Sequence, residues 1–208
     1  WLNALEVIQQ MYHDGWRQWK QAEWAGWFLE YRFNKFTIEN NVTDKMRYIS
    51  QKKEGELDFD IRFEEADFYG DLKASDIKHS DAPGNDQENL IECIYRYNRF
   101  WYVIYEHETI KDSDCEYKAT IARNRFIRSL DSSYDKDDMS YSQKMKNSIR
   151  FMKMTILELN KINYRDALKA FNQGHQPNGG ARRPKFLINK KTLNNDNYAV
   201  FRYTYKEQ

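Results

Sequence analysis

The chain has little cysteine, no long apolar run and almost no surplus of charge, and each absence excludes something. Its 208 residues hold two cysteines, Cys93 and Cys115. They make no CxxC pair and no zinc-ligand spacing, so no disulfide framework is expected and a reducing cytoplasm is the expected location. No stretch approaches the roughly 20 consecutive apolar residues of a membrane-spanning helix, so no membrane partner is expected. The most apolar segment, residues 94–105, is interrupted by Arg96 and Arg99. No charged segment leading into an apolar one opens the chain, so no secretory signal is read there. Lys plus Arg number 33 and Asp plus Glu 32, a net charge of +1. The net charge therefore gives no global nucleic-acid signal, and any basic surface must be local.

What is present is enough for a sizeable core. Aromatic residues make up 16% of the chain, more than disordered chains carry. In residues 1–36, Trp16, Trp19, Trp24, Trp27, Phe28, Tyr31 and Phe36 recur mostly at helical intervals, with a break near Gly15. Residues 42–51 fit helix or strand equally. From Glu56 the period becomes two: Leu57, Phe59, Ile61 and Phe63 alternate with Glu56, Asp58, Asp60 and Arg62. That predicts a half-buried strand over 56–63, a turn at 64–67 and a returning strand over 68–75. Pro83-Gly84-Asn85 predicts a loop over 76–89, followed by a short helix over 90–97. Residues 100–105 (FWYVIY) read as a central buried strand. A polar loop is expected over 129–145, helices over 143–159 and 164–171, and a Gly/Pro/Asn-rich loop over 172–184. Strands at 186–189 and 198–205 are expected to pair across an Asn-rich turn. The expected fold is one α/β (α+β) domain over 1–208, a central mixed β-sheet flanked by helices.

The chemistry gathers on the predicted hairpin. Asp58 and Asp60 share one face of its first strand, and Asp71 and Lys73 one face of the second. Pairing would bring two or three carboxylates and an ammonium together. Carboxylates this close repel, at a cost in energy, unless a cation sits between them. Hard oxygen donors suit Mg²⁺, with Mn²⁺ as a possible substitute. Such a metal lowers the pKa of bound water and stabilises charge on a phosphate, and a lysine can support the same charge.

An Asp followed at this distance by Asp71-Leu72-Lys73 on a strand resembles the signature of the PD-(D/E)xK nuclease superfamily, which includes the type II restriction endonucleases. The first acid is Asp58 or Asp60. Asp60-Ile61-Arg62-Phe63 resembles the family's second strand more closely, although Phe59 stands where the family often has proline. The helix around Ala22-Glu23-Trp24-Ala25-Gly26-Trp27-Phe28-Leu29-Glu30 resembles the family's N-terminal helix, and either Glu23 or Glu30 could complete the site. The resemblance covers residues 20–106. It implies a restriction-endonuclease-like core there, with DNA-recognition and C-terminal elements over 107–208. It further implies a Mg²⁺-dependent, sequence-specific double-stranded DNA endonuclease, with Asp60, Asp71, Lys73 and Glu30 as catalytic residues. Metal ligands would come from Asp58, Asp60, Asp71 and Glu23, and a homodimer would read a palindromic target.

Base reading needs Asn, Gln and Arg on adaptable loops. Gln173, His175, Gln176, Asn178, Arg182, Arg183 and Lys185 form one candidate set, and Lys78, His79 and Asn85, with Gln87 and Asn89, form another. Arg123, Arg125 and Arg128 are candidates for phosphate contacts. The four histidines show no metal-cluster spacing. Competing readings are a repair or structure-specific nuclease of the same fold and a non-catalytic DNA-binding module.

Overall fold

The computed structural model describes residues 1–50, 56–134, 145–172, 174 and 182–206. The elements run β1 (Leu2–Asn3), α1 (Ala4–His13), α2 (Trp24–Glu39), β2 (Met46–Tyr48), β3 (Ile61–Phe63), β4 (Phe68–Asp76), β5 (Asp81–Asp86) and α3 (Gln87–Tyr97). They continue with β6 (Phe100–Lys111), α4 (Ala119–Leu130), β7 (Lys146–Leu159), α5 (Tyr164–Ala167), β8 (Leu168–Phe171), β9 (Lys185–Asn189) and β10 (Ala199–Thr204). The protein is mixed α+β, with helices flanking a mixed sheet. Among the described residues no helix is long and apolar enough to cross a membrane.

The main sheet has the order β1-β7-β6-β4-β3-β2, and β10 also pairs with β7. Strands β4 and β6 run parallel from Tyr69↔Phe100 to Asp76↔His107, joined through β5 and α3, while the other pairs in this sheet are antiparallel. Alternation along β4 and β6 sends side chains to two cores. On one face Tyr69, Phe100, Tyr102 and Ile104 pack with Leu90 and Ile94 of α3 and with Ala82 and Ile188 of a second sheet, ordered β5-β9-β8. On the other face Leu72 and Val103 meet Phe33 of α2. A third cluster joins α1, α2 and α4 through Ile8, Met11, Trp24, Phe28 and Ala119.

Local signals explain several of these elements. Asn3 caps α1 by accepting from Leu5 N at 2.9 Å, and its buried Ala4, Val7, Ile8 and Met11 recur at helical spacing. Asp86 caps α3 through Asn89 N at 3.2 Å, and Asn98, at φ 55°, ends it in the left-handed region. Lys190 anchors the turn after β9, with its Nζ 2.7 Å from the Asp76 carbonyl and 3.0 Å from Glu106 Oε1.

Four expectations are corrected. No helix forms over 145–159, the described part of the helix expected at 143–159: Lys146–Leu159 is the longest strand among the described residues. Its register skips one residue between Lys153 and Phe151 and another between Ser148 and Lys146. Each bulge breaks the two-residue alternation that marks a strand. The helix expected over 164–171 is one turn, after which Leu168–Phe171 pairs with β9. Residues 81–86 form an edge strand rather than a loop, because Pro83 falls beside a register shift where no ladder donor is needed. The two C-terminal strands do not pair with each other: β9 lies in the small sheet and β10 on β7. The expected strand over 56–63 is regular only from Ile61, and the ambiguous 42–51 segment holds a three-residue strand.

Gly70 lies where β3, β4 and β6 crowd together. A Cβ there would sit 2.9 Å from the Trp101 carbonyl oxygen and 3.0 Å from Phe63 Cε2. Gly70→Ala should therefore cost about 1–3 kcal/mol of stability, read from urea unfolding at constant m-value. A loss near zero would show that the sheet has slack at this point.

Candidate active site

The candidate site forms where β3 leaves β4. Pairing stops at Ile61↔Gly70, and the Leu72 N–H that faces the same edge donates instead to Asp60 Oδ2 at 2.9 Å. In return Asp60 N donates to Asp71 Oδ1 at 3.3 Å. Lys73 Nζ lies 2.6 Å from Asp71 Oδ2, an oxygen that is buried and has no aligned hydrogen-bond donor. Asp71 is 2% exposed and the Lys73 side chain 16%, so the lysine is the more accessible end of the pair. From α2, Glu30 reaches the same cluster, and Tyr48 at the end of β2 donates to Glu30 Oε2 at 2.5 Å. Behind Asp71, Tyr102 Oη accepts from Asn85 N at 3.2 Å.

Three carboxyls thus surround one ammonium in a poorly solvated place, and their titration diverges. Burial pushes Glu30 up to about 7, with the Asp71 charge adding to it and the Tyr48 hydrogen bond opposing it. Burial, then the Asp71 charge and a hydrogen bond to Asp71, hold Asp60 well above the carboxylate range. Asp71 moves the other way: burial would raise it, but Lys73, the Asp60 carboxyl and the Asn85 amide together hold it below its ordinary value. Burial pulls Lys73 down, and the charges of Asp71 and Asp60 outweigh it and raise the ammonium. The outcome is an Asp71–Lys73 ion pair flanked by two carboxyls that resist ionisation, the divergence expected when like charges share a site.

The sequence-derived candidates divide accordingly. Asp60, Asp71, Lys73 and Glu30 come together. Asp58 is exposed, with its carbonyl accepting from Asn89 Nδ2 at 3.0 Å. Glu23 is the exposed residue before α2, two helical turns from Glu30 and so about 10 Å away along the axis. Asn85 sits in β5 against Tyr102 and Asp71, so it belongs to the surroundings of the carboxyl cluster. Lys78 and His79 are exposed in the turn between β4 and β5, where Lys78 N donates to Asp76 Oδ1. Gln87 Nε2 donates to the Lys185 carbonyl at 2.8 Å, so these two candidates adjoin where α3 begins beside β9. Arg182, Arg183 and Lys185 are exposed. Gln173, His175, Gln176 and Asn178 lie outside the described residues.

Arg123 is buried and gives its guanidinium to the Lys20 carbonyl, which removes it from the phosphate-contact candidates, whereas Arg125 is exposed. Among the histidines, His107 is fully buried between Thr109 Oγ1 at 3.0 Å and Lys146 Nζ at 3.2 Å. Burial, then the Lys146 charge, pushes it down to about 4. Sequence reasoning missed Tyr48, because nothing in an ambiguous segment marks one tyrosine as the partner of a distant glutamate.

The donors suit a hard cation by chemistry: all are carboxyl oxygens, and three carboxyls stand around one ammonium. Among the described residues, however, no group of three or more His, Cys, Asp or Glu side chains is arranged to hold a metal. Comparison with known proteins adds no relative: no family model matches the chain, and neither the curated proteins nor the solved structures include a match.

The raised Glu30 value has a stability consequence. The folded chain holds this proton more tightly than the unfolded chain, whose Glu titrates near the ordinary 4.5. Stability from Glu30 is therefore present below 4.5 and is lost as pH rises to about 7. Glu30→Gln should flatten the decline of unfolding free energy across that interval and leave the variant more stable than the parent above it. Denaturant titrations without divalent cations check this, and an unchanged slope would place Glu30 outside the low-dielectric cluster.

Proposed function

We propose that this chain is a Mg²⁺-dependent, sequence-specific double-stranded DNA endonuclease that hydrolyses phosphodiester bonds in the manner of a type II restriction enzyme. The observation that carries the reading is the convergence of Asp60, Asp71, Glu30 and Lys73 at one strand edge. The Asp71–Lys73 contact of 2.6 Å marks residues of the motif as spatial neighbours, beyond their closeness in sequence. Asp60, Asp71 and Glu30 supply the carboxylates that would hold the metal. When bound, Mg²⁺ supplies an activated water and stabilises charge on the scissile phosphate.

Lys73 brings a persistent positive charge to an otherwise acidic site, which suits an anionic phosphate. Tyr48 fixes the Glu30 carboxyl and opposes the rise of its pKa, keeping it closer to its ionised, metal-binding form. A near-neutral chain carries little general attraction for DNA, so recognition falls to local groups such as the exposed Lys78, Arg182, Arg183 and Lys185.

Asp71→Ala and Lys73→Ala should each lower Mg²⁺-dependent cleavage of plasmid DNA by about 10² or more, the range seen when one charge-stabilising group is removed. The parent should give discrete fragments from a long DNA. Asp71→Asn keeps the side-chain volume and controls for folding. Full site-specific cutting by both alanine variants would overturn the proposal, and so would a parent that binds DNA without cutting it in Mg²⁺ or Mn²⁺.

A further inference from the structure

Strand β5 is built around a bulge. Its pairing with β9 runs Pro83↔Leu187 and then Asp86↔Lys185, so β5 carries one extra residue at Gly84-Asn85. A Cβ at Gly84 would sit 2.6 Å from the Phe186 carbonyl oxygen, so the close approach of the two strands needs glycine there. Bulges re-aim side chains and recur beside active sites. Here Asn85 has no partner in the β9 register. Its N–H donates instead to Tyr102 Oη at 3.2 Å, and its side-chain amide stands against the Asp71 carboxyl.

Half of that amide is unused. Its N–H₂ end serves Asp71 and favours the ionised carboxylate. Asn85 Oδ1 is buried and accepts no hydrogen bond among the described residues. Turning the amide over would set Oδ1 against the Asp71 carboxylate, oxygen facing oxygen, so charge fixes its orientation. A buried oxygen of this kind is destabilising until a hydrogen-bond donor or a cation meets it. The acids beside it have the converse need. Asp60, Asp71 and Glu30 surround one ammonium, yet among the described residues no three His, Cys, Asp or Glu side chains are arranged to hold a metal. A further ligand must then come from another kind of residue, and an amide carbonyl is a hard oxygen donor. It brings no charge to a place where carboxylates already repel.

We propose that the side-chain carbonyl of Asn85 is a ligand of the divalent cation held by Asp60 and Asp71. The inference rests on the reading of this site as a divalent-metal centre, and it adds a ligand from outside the motif. Every acid of the cluster lies before residue 74, whereas Asn85 comes from the bulge of the second sheet. Asn85 thereby leaves the base-reading set.

Mn²⁺ titration of the full chain without DNA, followed by calorimetry and by the paramagnetic resonance of free Mn²⁺, tests this apart from cleavage. Asn85→Ala and Asn85→Leu remove the oxygen, the second at nearly unchanged volume. Each should weaken Mn²⁺ binding about tenfold or more, the scale of losing a supporting partner of a metal site. Asn85→Asp keeps an oxygen and loses the N–H₂ group, and should bind Mn²⁺ at least as tightly as the parent. Far-UV circular dichroism matching the parent's accompanies each variant. If Asn85 served only to orient Asp71 through its N–H₂ group, Asn85→Asp would lose affinity with the other two, and the proposal would fall. It would fall as well if Asn85→Ala and Asn85→Leu bound Mn²⁺ like the parent while Asp71→Asn did not, a result that leaves the nuclease reading standing. A parent that takes up no Mn²⁺ would overturn the proposal and that reading together.

Discussion

Pairing between β3 and β4 stops at Gly70, and the next N–H facing that edge, Leu72, is taken by the Asp60 carboxyl. Asp71 closes the loop by accepting the Asp60 N–H. Two side chains thus replace a rung of sheet, and leaving such a donor unpaired in a buried position costs about 1–3 kcal/mol. The exchange holds the two carboxyls beside each other through backbone N–H groups. It also explains why their pKa values separate: each oxygen given to a backbone N–H is withheld from solvent, and the remaining charge must be met by Lys73 or by a proton. Glu30 enters this arrangement from α2 and feels the same shortage of cations.

Much of this was legible in the residues. Asp71 and Lys73 sit two apart on a strand that pairs with β6 without a register shift from Tyr69 to Asp76, so the shared face expected of them holds. The helix expected over 90–97 forms, beginning three residues earlier at Gln87, and the aromatic strand from Phe100 was also readable. Asp60 was one of two open choices, and the geometry separates them: Asp60 bonds to β4 whereas Asp58 faces solvent. Glu30 likewise separates from Glu23 once α2 is placed. What could not be read depends on bulges and on long-range pairing. Strand β7 skips Met152 and Asn147 against β6, which erases the period of two. The Pro83-Gly84 pair in β5 looks like a loop until β9, a hundred residues later, supplies its partner.

Strand β7 holds the architecture together laterally. It pairs with β6 along nearly its whole length and carries β1 and β10 on its other side. The N-terminus and the C-terminal strand are thus neighbours on one edge, and Trp24 Nε1 donates to the Lys146 carbonyl at 2.9 Å to tie α2 to the same strand. The helix that brings Glu30 and the sheet that brings Asp71 therefore share an anchor remote from both acids.

The small sheet carries a consequence for assembly. Its strands come from residues 81–86, 168–171 and 185–189, and Asn85, beside Asp71, belongs to the first of them. The four clustered residues all lie before residue 74, yet the wall behind them closes only when the last quarter of the chain returns to pair with β5. Such non-local closure is entropically slow. During synthesis the Asp71–Lys73 motif would emerge long before its backing exists, so the acidic cluster should acquire its dry, low-dielectric character among the final events of folding. A chain truncated after β6 would retain every residue of the motif and lack the surroundings that set their charge states.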